Sequence, residues 1–509
     1  MPTDRTRVAI SPLNAQDGRD VAREGVRLGR NRGLLLGGIL LAALLLRIVP
    51  LTASHFWDET VYLQHARVIV EGRTNYNEFD YRPPLLPILY AAGYLVWDNI
   101  YVANVVQGIA STLAVPFAFL YVRRAFGPAP ALIAAALFAF TPYFVEASHE
   151  LMTDMPAVAL MLAAMWLFDR TGIRSPFVAG IASALAAQTR FTSLFVFVYF
   201  AVDSFFSGVK FRRLLWLAAG AAIAMAPYLF WIRWNYGSFF HSFALASRIT
   251  TEWTALVPAT FYFAAIPQIF PASAFALFAI GLVATAIEWS RPSLGAHGAG
   301  LISRFANLDV RTARVLALLA WGAAFFVYML RIPHKEVRYL LPLAIPVVIV
   351  GALGAAAIWR WLSVQAIPFK LAGLFLALAV AAVDFGPAFA KLTQSWIDPS
   401  ETQTVQVARY IREISTPADT LYAAHEFPVL AFYSERKTKS LLPIQDDFDR
   451  TWHDWMKDPG YVVYYRPSGI RETHSKNPSF KPDLSFMDAR PNFRIAREFP
   501  EAIVYRYDP

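Results

Sequence analysis

Asp58 and Glu59 form an acidic pair just beyond the first long apolar run, and Arg82-Pro83-Pro84 closes the same polar loop. Carboxylates can accept protons and a guanidinium can grip anionic oxygens with two parallel hydrogen bonds, so this set suggests an enzyme acting on a lipid substrate rather than a passive anchor. Glu150 and Asp154 stand four residues apart, which places both on one face of a helix. Arg190 follows Gln188-Thr189, while Lys335 and Arg338 precede a late apolar run. Such cations are natural ligands for phosphate, arginine as a planar fork and lysine as a compact charge. The same residue types also serve structure, because acids favour the first turn of a helix and long basic side chains snorkel to lipid headgroups.

The elements that must position these residues are membrane helices. Hydrophobic residues make up 56% of the chain and charged ones only 16%, and apolar stretches of span length recur from Gly33 to Phe389. The pattern predicts about eleven spans. Their approximate limits are 33 to 51, 99 to 122, 129 to 147, 153 to 170, 176 to 189, 191 to 207, 213 to 231, 261 to 288, 313 to 330, 339 to 358 and 368 to 389. With an odd count the termini face opposite sides. Arg123-Arg124, Asp169-Arg170 with Arg174, Lys210 to Arg213, the loop from Arg291 to Arg314 and Arg360 then share the inner side with the basic amino terminus.

Three regions follow. Residues 1–32 are basic and lack an apolar run, as expected of a disordered cytoplasmic tail. Residues 33–394 form the membrane body, with a first outer loop over 52–98 that contains a short helix from Glu59 to Glu71. In that loop the apolar run from Leu85 to Trp97 is too short to span and should lie in the interface. Residues 395–509 form a soluble α/β domain outside the membrane. It should contain a helix over Ser400 to Ser415 and strands over Thr420 to Ala424, Tyr461 to Tyr465, Phe493 to Phe499 and Ala502 to Tyr507. The net charge of +9 marks topology, and membrane lipids rather than nucleic acid are the expected contacts. Cysteine is absent, so disulfides and thiolate metal sites are excluded. Neither a Gly-rich phosphate loop nor a His-Glu-x-x-His zinc motif occurs, which argues against nucleotide binding.

In order and on one face, five short motifs resemble the C-type membrane glycosyltransferases, in particular glycosyltransferase family 39, with the protein O-mannosyltransferases and lipid A aminoarabinose transferases. They are Trp57-Asp58-Glu59, Asp80-Tyr81-Arg82-Pro83-Pro84-Leu85, Glu150 to Pro156, Gln188 to Thr192 and His334 to Pro342. Tyr81-Arg82 stands where the aminoarabinose transferases carry Glu-Lys. The resemblance implies the C-type fold in the plasma membrane. It also implies a sugar donor on polyprenyl or dolichyl phosphate, and an acceptor hydroxyl on a lipid, glycan or protein at the outer face.

That reaction explains the charges. Asp58 is the expected general base, with Glu59 orienting it, the acceptor or a nearby cation. Asp154, favoured by the resemblance, and Glu150 would hold the acceptor or set the field around Asp58. Arg82, Lys335 and Arg338, joined by Arg190, would stabilise the departing lipid phosphate. Tyr81 and Tyr339 would contact acceptor or sugar, or belong with Trp57, Trp253 and Tyr262 to an interfacial aromatic belt. No cofactor is required; His55, His65, His149 and His334 could join the acids around a divalent cation, although their spacing does not demand one. A polytopic transporter or lipid flippase is the alternative class, and it would be expected to show an inverted repeat, which the sequence lacks.

Overall fold

The computed structural model describes residues 13–49, 55–72, 81–172, 174–207, 211–251, 257–290, 308–397, 401–441, 444, 448–466 and 487–509. Asp80 and Trp253 lie outside the described residues, as do the first twelve residues of the basic tail. Helix α1 (Leu13–Ile48) begins within that tail. The loop after α1 supplies α2 (Trp57–Glu71) and the apolar α3 (Leu85–Val96), both as expected. Then come α4 (Tyr101–Thr112), α5 (Ala114–Phe126), α6 (Pro128–Phe140), α7 (Pro142–His149), α8 (Asp154–Phe168) and α9 (Arg174–Thr189). A 3-10 turn over Phe191–Phe195 leads into α10 (Val196–Phe206), α11 (Phe211–Tyr236), α12 (His241–Thr251), α13 (Phe261–Ile269) and α14 (Ala272–Ser290). After α15 (Val310–Arg331), a second 3-10 turn over Val337–Leu343 opens α16 (Ala344–Ser363), and α17 (Ile367–Ile397) completes the membrane body.

Seven of the described helices are long and apolar enough to cross a membrane, or up to eight if the bent pair of α6 and α7 is one span. The apolar run expected over 261 to 288 is not continuous. Phe270 adopts an extended conformation between α13 and α14, because Pro271 behind it disfavours helical geometry. Pro142 has the same effect on Thr141, and α6 and α7 meet there at 52°. The fully buried Arg47 of α1 fixes this bend by donating to the carbonyls of Phe138 (2.9 Å) and Ala139 (3.0 Å) and to Ser148 Oγ (3.1 Å). Carbonyls released at a helix end need donors, and within a membrane a side chain must provide them. Elsewhere the bundle closes through small residues. A Cβ on Gly180 would stand 2.0 Å from the Leu217 carbonyl oxygen, so α9 and α11 touch backbone to backbone.

The carboxy-terminal region is a five-stranded sheet flanked by helices. α18 (Gln403–Ile414) buries Val405, Ala408 and Ile411, one face at helical spacing. The strands are β1 (Thr420–Ala423), β2 (Thr438–Ser440), β3 (Gly460–Tyr465), β4 (Phe493–Glu498) and β5 (Ala502–Tyr507), in the order β2-β1-β3-β5-β4. β1 runs parallel to β2 and β3, whereas β5 is antiparallel to β3 and β4. Two further helices are α19 (Phe427–Ser434) and α20 (Phe448–Trp455).

α19 docks on α2. The Tyr433 hydroxyl accepts from the His55 N–H at 2.9 Å, Gln64 Nε2 donates to the Pro428 carbonyl at 3.0 Å, and the Trp57 and Phe427 rings meet edge to face at 4.4 Å. With α3 and α4 on its other side, α2 is buried without interruption from Glu59 to Ala66. Glu426 and Glu435 bracket α19 with left-handed backbone, φ 53° and 55°.

Candidate active site

The site gathers where helices break. Glu59 sits in the first turn of α2; its Oε2 accepts from the Phe56 N–H (2.8 Å) and its Oε1 from the Leu151 N–H (2.7 Å). Both oxygens thus hold backbone, tying the start of α2 to the turn between α7 and α8. Beside it, Asp58 Oδ1 accepts from Arg82 Nη2 at 2.8 Å and Oδ2 accepts from Arg338 Nη2 at 2.6 Å. The Asp58 side chain is 20% exposed and those of the two arginines 10% and 11%, so the three charges meet in a largely buried cluster in which Asp58 keeps the most exposure.

Ahead of α16 the backbone is extended at Glu336, and side chains alternate along extended chain. His334, Glu336 and Arg338 therefore face one way and Lys335 the other. His334 Nε2 lies 2.9 Å from Glu336 Oε1, and Arg338 Nε donates to Glu336 Oε2 at 2.5 Å. Lys335 is buried, with its ammonium on the carbonyls of Ile332 (2.5 Å) and Val257 (3.2 Å). Among the described residues no hydrogen bond or ion pair joins it to the Asp58 cluster. The Tyr339 hydroxyl donates to Glu336 Oε1 at 3.0 Å, and its ring is flanked by the guanidiniums of Arg190 (4.9 Å) and Arg338 (5.6 Å). Arg190 in turn stands 2.9 Å from Asp154.

Burial alone would raise the Asp58 carboxyl, but Arg82 and Arg338 outweigh it and hold it down at about 2. Arg338 and the His334 hydrogen bond likewise overcome burial at Glu336 and keep it well below the usual carboxylate range. Glu150, half-buried at the end of α7, behaves oppositely: burial and then the Glu59 charge push it up to about 8. At neutral pH it carries a proton. Two carboxylates clamped as anions thus stand near one that is kept neutral.

Among the expected residues, Asp58, Arg82 and Arg338 make direct contact, Arg190 and Asp154 form a second pair, and Tyr339 links the two groups. Tyr81 lies beside Arg82, whose Nη2 donates to its hydroxyl at 3.3 Å. The four histidines do not converge: His65 is buried, His149 Nε2 pairs with the Leu46 carbonyl at 2.7 Å and His55 lies 3.6 Å from Glu59. Among the described residues no group of three or more metal-ligating side chains assembles. Sequence reasoning missed Glu336, although alternation through His334-Lys335-Glu336-Val337-Arg338 would have paired it with Arg338. It also missed Phe427 and Tyr433, which carry no local signal of contact with Trp57 and His55, 370 and 378 residues away.

Residues 81–234 match the family model described as dolichyl-phosphate-mannose-protein mannosyltransferase. That stretch contains Arg82, Glu150, Asp154 and Arg190 and begins after Asp58. No curated protein matches the chain. Among solved structures, the fold is similar to ArnT from Cupriavidus metallidurans bound to undecaprenyl phosphate, with a TM-score of 0.65, 15% identity, and coverage of 92% of this chain and 97% of that one. It is also similar to the oligosaccharyltransferase AglB from Archaeoglobus fulgidus in complex with an inhibitory peptide and a dolichol-phosphate, with a TM-score of 0.60, 15% identity and coverage of 85% and 69%. The chain therefore has the fold of the C-type membrane glycosyltransferases and resembles family 39, as its motifs imply.

Proposed function

We propose that the protein transfers a sugar from a polyprenyl- or dolichyl-phosphate-linked donor to an acceptor hydroxyl on the outer face of the membrane. The acceptor oxygen attacks the anomeric carbon, the bond from that carbon to the phosphate oxygen breaks, and the electron pair leaves on the phosphate. The acceptor proton passes to Asp58. One displacement inverts the anomeric centre. About eleven spans, a cytoplasmic amino terminus and an extracytoplasmic soluble domain belong to the same proposal.

The observation that carries it is Asp58 held between Arg82 and Arg338 at 2.8 and 2.6 Å. A carboxylate near pKa 2 is a feeble base. A donor phosphate engaging the same guanidiniums would offset their charge and let the Asp58 carboxyl rise towards an ordinary value. Donor binding thereby creates the base, and the arginines that restrained it stabilise the leaving phosphate. The family match and the lipid phosphates bound by the two similar proteins support this class of donor.

Reconstitution tests the reading. Purified protein in liposomes is given labelled sugars on undecaprenyl or dolichyl phosphate, with lipid, glycan and peptide acceptors. Covalent transfer supports the proposal, whereas movement of unchanged donor between leaflets identifies a flippase.

A further inference from the structure

Asp154 and Arg190 form a second charged pair, and the Arg190 guanidinium shares the Tyr339 ring with Arg338. Asp154 opens α8 and is 1% exposed; Arg190 follows α9 and is 14% exposed. Their charges lie 2.9 Å apart, yet neither oxygen of Asp154 accepts a hydrogen bond and Arg190 Nε donates none among the described residues. Arg190 Nη1 donates only a long bond, 3.3 Å, to Thr153 Oγ1. An ion pair alone leaves hydrogen-bonding capacity unused on buried carboxylate oxygens and guanidinium N–H groups, which is disfavoured, so the pair invites water or a ligand. The pair does not suit every ligand. Asp154 repels a phosphate and Arg190 repels a metal ion, whereas neighbouring hydroxyls, each both donor and acceptor, satisfy a carboxylate and a guanidinium together.

Position narrows the choice further. The Tyr339 ring stands 4.9 Å from the Arg190 guanidinium and 5.6 Å from that of Arg338, so both cations share one ring. A group covalently attached to an anion on Arg338 would therefore stand close to Arg190 and its partner Asp154.

We propose that Asp154 and Arg190 form the subsite for the donor's sugar, binding its ring hydroxyls beside Tyr339, while Arg82 and Arg338 hold the phosphate. This rests on the donor class proposed above and takes Arg190 off the phosphate and Asp154 off the acceptor. The neutralised pair favours an uncharged sugar.

Binding of undecaprenyl and dolichyl phosphates, bare or carrying mannose, glucose or arabinose, tests it on the full-length protein. Wild type should bind at least one sugar-bearing lipid more tightly than the bare phosphate. Asp154→Asn and Arg190→Gln should weaken that lipid at least tenfold and leave the bare phosphate within twofold. The double variant keeps the net charge and serves if either single variant fails to fold. Equal weakening of both lipids, unchanged binding of both, or a wild type without preference for any sugar would overturn the subsite. A wild type that binds neither bare nor sugar-bearing lipid would remove the donor class itself, and this inference with it.

Discussion

Arg338 Nη2 donates to Asp58 Oδ2 at 2.6 Å although 280 residues separate them. The start of α2 and the segment before α16 thus meet in one charged cluster. If Asp58 receives the acceptor proton, Asp58→Asn should lower kcat at least a hundredfold, within the range typical of a lost general base. Folding should persist, because the amide preserves shape. Product formation and a melting curve on the same preparation check both halves.

Arg338 and Lys335 are three residues apart but face different surroundings. Arg338→Gln should raise the donor KM and lower kcat together, since it removes a charge from the phosphate site. Lys335→Met should leave the donor KM within about twofold and instead lower Tm by a few degrees, because the Ile332 and Val257 carbonyls lose their donor. A donor KM that changes equally in both variants would contradict the assignment.

Glu59 holds backbone with both oxygens. Glu59→Gln should therefore destabilise the protein by about 1–3 kcal/mol, as expected when a buried partner is lost. Activity per folded molecule should fall less than in Asp58→Asn. Activity normalised to the folded fraction separates the two acids.

Glu150 gives a pH signature. Its ordinary value is 4.5 and the native protein raises it to about 8. The unfolded chain therefore releases this proton first, and stability falls between these pH values and then levels off. Glu150→Gln should raise Tm at pH 8.5 more than at pH 5. Asp58 behaves oppositely: its depressed carboxyl contributes stability above its ordinary value of 3.8, lost only as pH falls through about 2. Thermal scans of Asp58→Asn against wild type should differ little in slope above pH 5.

Much of this architecture was legible because membrane helices announce themselves through apolar length, and α2, α3 and the strands β1, β3, β4 and β5 fall where periodicity places them. Breaks were harder to read. The interruption at Phe270 depends on a single proline inside an otherwise continuous apolar run. β2 escaped notice because three half-buried residues, Thr438–Ser440, leave no alternating pattern. The same limit applies to the candidate site. Asp58, Arg82 and Arg338 were visible as charges on one face, but which of Lys335 and Glu336 joins them is decided by a short extended segment whose alternation outweighs charge type. Glu59 was identified as functional from its company; its two backbone partners are set by the fold of the distant turn at Leu151.

Because α19 seats Phe427 against Trp57 and Tyr433 against His55, the residues just ahead of Asp58 belong as much to the carboxy-terminal sheet region as to the helical body. Chimeras built by grafting this domain onto another member of the fold would have to carry the matching outer-loop helix along with it. The seam between recipient and graft runs through α2 rather than through the linker that follows α17.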